Sequence, residues 1–583
     1  MKKIIFLLVT VSVMLGTNGC SDDAYNDKFI DPTKVTSVSV PNLMTGVFLR
    51  AGNYSTYGYY RYFAFEPIFI GKFAQTFGYS RISSMYVPGW EGYAESQFGD
   101  LYTCMSDYVS LVNEYEKLVE TEKASVEAFK LAAMVHLYDW LLACVDMFGD
   151  MPFTEACTLP ISMDIVSAQA SYDKAEDIYS KVIDELKVAA QRFNSSDLVK
   201  LSKFTNHDLI NRGDFNKWAR YANSLRLRAA IRISQHGNLA AKGKETIAEI
   251  LGNPDQYPLV ETNADNIFLW NAKSGNWNLR GGGGFDWTTC RLASAPIIDR
   301  MLKSGNHYAG GPVTAGQYVD GDDPRILLLF TLRSGLEADN EPQQYNYTNV
   351  LAGETKPLFF YGVGTTTDTE IAMYGGSEFS EIVDQGFFRN NYEFEHVQMT
   401  AAEVLFCKAE AYHRGWGVAQ NDAEAERYFK EAVKQSILLY YHWNEISDQP
   451  KTKDIPTPDI ASIEAFAAAR WVSSVNPAIP YDAADPKLDA ILTQKWLHWG
   501  IFFPRQCWSQ LRRTGLPKLV YPNSGSELLP WAPDRWRYPV GERSYNQKYP
   551  GEEVDTYYSK LFWADSKGMR HSVKTGDTWT DQY

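Results

Sequence analysis

The sequence predicts a mostly α fold, an array of paired helices that carries long irregular loops. Three observations point there. Residues 215–234, FNKWARYANSLRLRAAIRIS, contain no Gly or Pro and place Trp218, Ala222, Leu225, Ala229 and Ile233 at helical spacing. Residues 400–416 and 422–442 show the same kind of stripe on either side of a short Gly-containing turn. Around 258–294, 305–323 and 340–385 the periodicity stops and turn-forming residues accumulate.

Bulk properties narrow the function classes. The chain has 583 residues, is 45% hydrophobic and carries a formal charge of −15. A large core is therefore within reach, and a polyanion is excluded as the main partner; no nucleic acid is expected. Aromatic residues make up 14% of the chain. Those that fall in loops can offer amphipathic rings to a sugar or a peptide. The cysteines are Cys20, Cys104, Cys144, Cys157, Cys290, Cys407 and Cys507, and no two have CxxC spacing. Neither a metal site nor a cofactor is expected from them. Cys144 and Cys407 sit in helical patterns, where a free thiol behaves as a small apolar group.

In chain order, Lys2 and Lys3 precede an apolar run, Ile4–Leu15, that is short for a membrane span. Gly16-Thr17-Asn18-Gly19-Cys20 follows and resembles a loose bacterial lipobox. That resemblance implies a signal peptide over 1–19, lipid attachment at Cys20 and a tether over 20–40. Ser21-Asp22-Asp23 resembles a surface-export signal of such lipoproteins. No later stretch reads as apolar enough to span a bilayer, and residues 41–583 are expected to form one domain. Leu43–Phe77 should be helical in two pieces, and Ile82–Tyr93, with Pro88, Gly89 and Gly92, should be a loop. Ser96–Val119 and Ser125–Val145 read as helices, with His136 as a satisfied core histidine. Gly149 and Pro152 break the pattern, and Ser171–Phe193 resumes it with Ser171 as a plausible cap. The stripe at 215–234 is preceded by Asp214, a good N-cap, and its second half carries Arg226, Arg228 and Arg232.

Asn266–Asn271 reads as a short strand. The Gly-rich stretch 275–287 lacks the Gly-Lys-Ser/Thr that a phosphate cradle needs. Ala295–Lys303 reads as a short helix. Leu405, Ala409 and Tyr412 then lead into Ala425, Phe429 and Ala432, steps that resemble the tetratricopeptide helix–turn–helix. Ala175, Tyr179 and Val182 echo its second helix. Alternating small and large residues let one helix pair stack on the next. Leu488–Phe502 is a further helix, and Trp531–Glu542 a loop.

Several blocks together resemble the SusD/RagB-like family of nutrient-binding outer-membrane lipoproteins. They are Cys20–Asp23, Val145–Ala156, Trp218–Ser234, Asp322-Asp323-Pro324-Arg325, Glu403–Trp416, Gln494-Lys495-Trp496, Trp508–Pro517, and Arg537-Tyr538-Pro539 with Glu542 and Asn546. The resemblance implies a single domain: a tetratricopeptide-like superhelix of four helix pairs, with irregular ligand-binding loops packed on one side. It also implies a SusC-like TonB-dependent transporter as partner, an oligosaccharide or peptide as ligand, a lipid-anchored place at the outer membrane and no catalysis.

Sugar sites need flat aromatic faces and planar polar groups. The candidate contacts are Tyr86 and Trp90 of the first loop with Asn276, Trp277, Arg280 and Trp287 of the Gly-rich loop, followed by Tyr361 and Tyr374. A surface glycoside hydrolase is the competing class. With 71 acidic residues, carboxylate pairs carry no information, and no His-Glu-x-x-His or Gly-x-Ser-x-Gly occurs. A pure assembly platform is the third reading, and it predicts no small ligand.

Overall fold

The computed structural model describes residues 39–57, 65–77, 91–164, 169–269, 294–303, 321–332, 395–446, 455–477, 479–519 and 529–565, with positions 61, 86, 380–382, 521, 527, 569, 573–575 and 578–580. Helices dominate these residues. α1 (Val40–Arg50) lies against both α2 (Glu91–Glu116) and α3 (Glu120–Phe148). α4 (Ala175–Phe193) pairs with α5 (Phe215–Ile233), and α6 (Ala240–Gly252) also packs on α5. After the short α7 (Ala295–Met301), α8 (Ala401–Arg414) and α9 (Asp422–Glu445) form the most intimate helix pair. α10 (Ile460–Val472) packs on α9, α11 (Pro486–Trp499) on α8 and α10, and α12 (Pro504–Thr514) on α11. α13 (Val540–Tyr545) is a short surface helix.

Strands are short antiparallel pairs that clip loops together. β1 (Met151–Pro152) pairs with β2 (Tyr172–Asp173), and β3 (Ile267–Leu269) with β6 (His396–Met399). β4 (Phe330–Leu332) pairs with β5 (Ser380–Ile382), and β7 (Val573–Thr575) with β8 (Thr578–Thr580).

α5 is central for reasons visible in its residues. The Asp214 carboxylate accepts the N–H groups of Asn216 (2.9 Å) and Lys217 (3.2 Å), satisfying two donors that the first turn leaves open. Trp218 stacks between Phe48 of α1 and Phe193 of α4, with ring centroids 5.9 Å away on each side. Its indole N–H donates to Asp208 at 2.8 Å. The arginines do more than face the helix's negative end. Arg226 reaches Glu249 of α6, Arg228 reaches Asp139 of α3 and Glu403 of α8, and Arg232 reaches Asp146 of α3. All three are buried, so one helix is tied by charge to neighbours on several sides.

The α8–α9 hairpin has the expected stacking. Leu405, Ala409, Ala425, Phe429 and Ala432 are buried, with Phe406 and Phe429 edge to face at 6.2 Å. Thr400 caps α8 through its side chain, and Gly415 ends it at φ 64°, a conformation Gly adopts without strain. The echo residues Ala175, Tyr179 and Val182 are likewise buried on α4, which packs against α5.

Among the described residues, 43–77 is helical in two pieces as expected, α1 with the turn Gly52–Ser55 and then Glu66–Ile70 continued by Gly71–Phe73, although the second piece is wound partly as a π-helix. Other expectations are corrected. Ser171 is not the cap of α4. Tyr172 and Asp173 are used in β2, so α4 starts at Ala175 with Lys174 before it, while the Ser171 N–H donates to Glu155. Ser380–Ile382, inside a stretch expected to be irregular, forms β5. α3 is long and apolar enough to cross a membrane, contrary to the sequence reading, but its apolar window is wholly buried within the fold. It is a core helix because α1, α2, α4 and α5 pack against it.

The sequence blocks that carried the family resemblance turn out to grip one another. Arg325 pairs with Asp323 and donates to Gln494 at 2.7 Å. Arg513 holds Glu410 through two bonds of 2.7 and 2.8 Å. Arg512 donates to the Asp146 carbonyl, the Tyr538 hydroxyl to the Asp150 carbonyl, and Glu542 accepts from Tyr172 and Asn546. These residues are scaffold, which leaves ligand choice to other segments.

Candidate ligand-binding site

The sequence expects two loops to form the site, and residues flanking them in the chain, Gln75 and Ser294, meet. The first loop follows Phe77 in the chain. Just before it, Gly71 passes so close to Phe77 that a Cβ at Gly71 would lie 2.3 Å from that ring, so the turn requires glycine. Gln75 adopts φ 55° in the same turn. Its carbonyl accepts the Ser294 hydroxyl at 2.5 Å, in a buried contact. Ser294 follows the Gly-rich segment in the chain and precedes the first turn of α7. At the other end of that segment, Leu269 pairs with His396, whose Nδ1 accepts the Tyr57 N–H at 3.1 Å.

The placement of the predicted contacts is mixed. Tyr86 is fully buried, its ring 6.5 Å from Phe73. Phe73 in turn meets Trp508 at 5.5 Å and Trp536 at 5.8 Å. Burial pushes the Tyr86 phenol well above its usual range, with Tyr521 and Tyr558 adding to the shift. The expectation that Tyr86 offers a face to ligand is therefore corrected: a large ring beside an aromatic cluster is worth more in the core than in water. Trp90, Asn276, Trp277, Arg280, Trp287, Tyr361 and Tyr374 lie outside the described residues, as does Cys20.

α7 fixes the exit of the Gly-rich segment. Arg300 donates to the Pro296 carbonyl (3.0 Å) and to the Lys518 carbonyl (2.6 Å), and its guanidinium lies 5.9 Å from the Trp496 ring. Met301 accepts the Asp323 N–H at 2.7 Å, so the loop between α7 and Asp323 is closed at its base. No sequence signal marked Arg300 as special; its role comes from partners about two hundred positions away.

Hydrogen-bonded groups that resemble catalytic arrays are buried. Ser55 Oγ lies 2.8 Å from His136 Nε2, and Tyr221 donates to Asp139 at 2.6 Å. Burial drives the His136 pKa down to about 3, so the ring is neutral, as expected of a core histidine. His498 links Thr400 and Ser436 at 2.8 Å each and is likewise pushed down to about 3, by burial and by Arg325 and Lys495. A nucleophile sealed from solvent has no substrate to attack. Among the described residues no group of three or more His, Cys, Asp or Glu is arranged to hold a metal. Cys104, Cys144, Cys157, Cys407 and Cys507 are free thiols.

Comparison with known proteins fits this frame. A family model described as "Starch-binding associating with outer membrane" matches residues 73–539. Among solved structures, a chitin-binding protein is similar with 22% identity and a TM-score of 0.63, over 90% of this chain and 100% of that one. A chitin-binding SusD homologue from Flavobacterium johnsoniae has 19% identity and a TM-score of 0.61, over 90% and 99%. A SusD-like protein from Bacteroides thetaiotaomicron has 20% identity and a TM-score of 0.61, over 91% and 99%. At these identities the structures establish the fold alone. No curated protein matches the sequence. With a mostly helical, tetratricopeptide-like scaffold in hand and a family model spanning most of its length, the chain belongs to the SusD-like family of binding proteins that associate with the outer membrane.

Proposed function

We propose that this protein is a lipid-anchored, surface-exposed binding protein that captures an oligosaccharide and passes it to a SusC-like TonB-dependent transporter without altering it. The observation that supports the reading is the buried hydrogen bond from the Ser294 hydroxyl to the Gln75 carbonyl, which ties the residue that follows the Gly-rich loop to the turn that precedes the first loop in the chain. Loops that share a base can close on one ligand from two sides. Trp90, Trp277 and Trp287 then supply ring faces for sugar C–H groups, and Asn276 and Arg280 bond its hydroxyls. Tyr361 and Tyr374 are secondary contacts. Tyr86 supports the base of the first loop from within the core. The family description and the chitin-binding structural neighbours favour a glycan over a peptide. Cys20, after a basic and apolar leader, is the lipidation site, and acyl chains bury about 0.8 kcal/mol per CH₂ in a bilayer.

Calorimetric titration of the chain from Ser21 onward with chitooligosaccharides, maltooligosaccharides and a peptide panel tests the reading. A glycan is expected to bind, and a folded Trp277→Ala/Trp287→Ala double variant is expected to lose most of that affinity. Unchanged affinity would remove the Gly-rich loop from the site. New reducing ends on incubation with glycan would show an enzyme instead.

A further inference from the structure

Of the tryptophans whose side chains are described, ten are buried, none more than 7% exposed, and Trp531 is not among them. Its ring stands apart from the hydrophobic core. Among the described residues it has no aromatic or cationic partner, and its indole N–H has no acceptor. A tryptophan contributes a large apolar area when it enters a core, and at this one position the fold forgoes that gain. We infer that Trp531 is a stacking platform for one pyranose unit of the glycan; the inference rests on the oligosaccharide-binding reading above and adds a contact to it.

The backbone that carries the ring is fixed. Trp531 stands between Pro530 and Pro533, whose rings lock their own φ angles. The Tyr558 hydroxyl accepts the Trp531 N–H at 3.3 Å and donates to the Trp531 carbonyl at 3.2 Å, so one group holds the peptide units on both sides. Next in the chain, Ala532 is fully buried, and the Asp534 N–H donates to the Tyr557 carbonyl at 2.7 Å. A ring set on such a backbone has little freedom left to lose on binding, which separates a recognition surface from a stray exposed side chain.

Position and chemistry point to the same ligand. Tyr86 belongs to the first loop, and its ring is buried 6.5 Å from that of Phe73. Phe73 meets Trp508 at 5.5 Å, and the Trp508 indole donates to the Pro533 carbonyl at 3.3 Å, two residues from Trp531. Tyr558 also lies near enough to Tyr86 to add to the upward shift of its phenol. The platform thus rests on the aromatic cluster that receives the first loop. A half-buried indole face takes the C–H face of a sugar ring. Beside it, the hydroxyls of Thr556 and Ser559 lie 2.8 Å apart and can each bond a sugar hydroxyl. Lys560, on the same turn, is paired with Asp534 at 3.0 Å, so the surface offers an uncharged ligand more than a charged one.

The test is ¹⁹F NMR of the full chain labelled with 5-fluorotryptophan, alongside calorimetry, with chitooligosaccharides and maltooligosaccharides as probes. The resonance that Trp531→Phe removes identifies the Trp531 indole, and it should shift when a glycan binds. Trp531→Ala should lose about tenfold in affinity, the scale of one aromatic contact, while Trp531→Phe should stay within about threefold of wild type because a smaller ring still stacks. A glycan that binds wild type without moving that resonance, or that binds Trp531→Ala equally well, overturns the platform and leaves the parent reading intact. If neither glycan series binds wild type, the parent reading falls and takes this inference with it.

Discussion

Arg228 and Arg512 are both buried guanidiniums that join distant parts of the chain, yet their surroundings are opposite. Arg228 lies among acids. It donates to Glu403 through two nitrogens, one at 2.8 Å, to Asp139 at 2.8 Å and to the Gln398 carbonyl at 3.2 Å. Burial alone would lower its pKa, but Glu403 and Asp139 outweigh it and the net shift is upward. Arg512 lies among carbonyls and rings. It donates to the backbone oxygens of Asp146 (2.7 Å) and Asp534 (2.8 Å) and to Ser509 Oγ (3.0 Å), with Trp508 stacked 3.6 Å from its centre. Burial, reinforced by repulsion from Arg232, pushes its pKa down despite Asp146 and Asp534 nearby. One arginine is a counter-ion, the other a clamp on backbone. The difference teaches what each would leave behind if removed: charges in the first case, carbonyl dipoles in the second.

That contrast ranks the consequences. Arg228→Met strands two carboxylates in the core and is expected to cost about 3–5 kcal/mol, read as a lower urea midpoint at unchanged slope. Adding Asp139→Asn and Glu403→Gln should recover part of the loss, because the penalty resides in the unpaired charges. If the triple variant is no better than the single one, Arg228 acts by shape and not by charge. Arg512→Met orphans neutral acceptors and should cost less, about 1–3 kcal/mol in the same assay. A cost equal to that of Arg228→Met would erase the distinction between counter-ion and clamp.

The same contrast explains what was legible beforehand. Helices at 215–233, 401–414 and 422–445 were readable because their stripes and caps are local: Asp214, Thr400 and Gly415 act within one turn of themselves. The partners of Arg228 and Arg512 were not readable. Glu403 is 175 positions from Arg228 and Asp146 is 366 from Arg512, and neither a charge nor a carbonyl announces its mate along the chain. The span-like composition of α3 shows the reverse failure, since a helix enclosed by protein and one enclosed by lipid have the same apolar surface. At the site, the loops expected from Pro88, Gly89 and the glycines of 281–284 lie outside the described residues. The inward turn of Tyr86 was not legible, because ring burial depends on Phe73 arriving from outside the loop.

The smallest effect separates the two regions by pH. His136 belongs to the Arg228 side through Tyr221, whose hydroxyl lies 3.5 Å from its Nδ1 and donates to Asp139. Burial holds its folded pKa at about 3, below the unfolded value of about 6.5. The unfolded chain therefore binds the proton more tightly, and this contribution to stability is complete above pH 6.5 and lost as pH falls from there toward 3. Between pH 7.5 and 5.5 the loss from His136 should be about 1.4 kcal/mol. The stability gap between wild type and His136→Gln should narrow by that amount over the interval, whereas the gap for Arg512→Met should hold constant, since that clamp contains no group titrating there. A gap for His136→Gln that instead widens as pH falls would mean the imidazole is already charged in the fold. In that case the Arg228 site would hold a second cation between its two acids, and the cost expected for Arg228→Met would shrink accordingly.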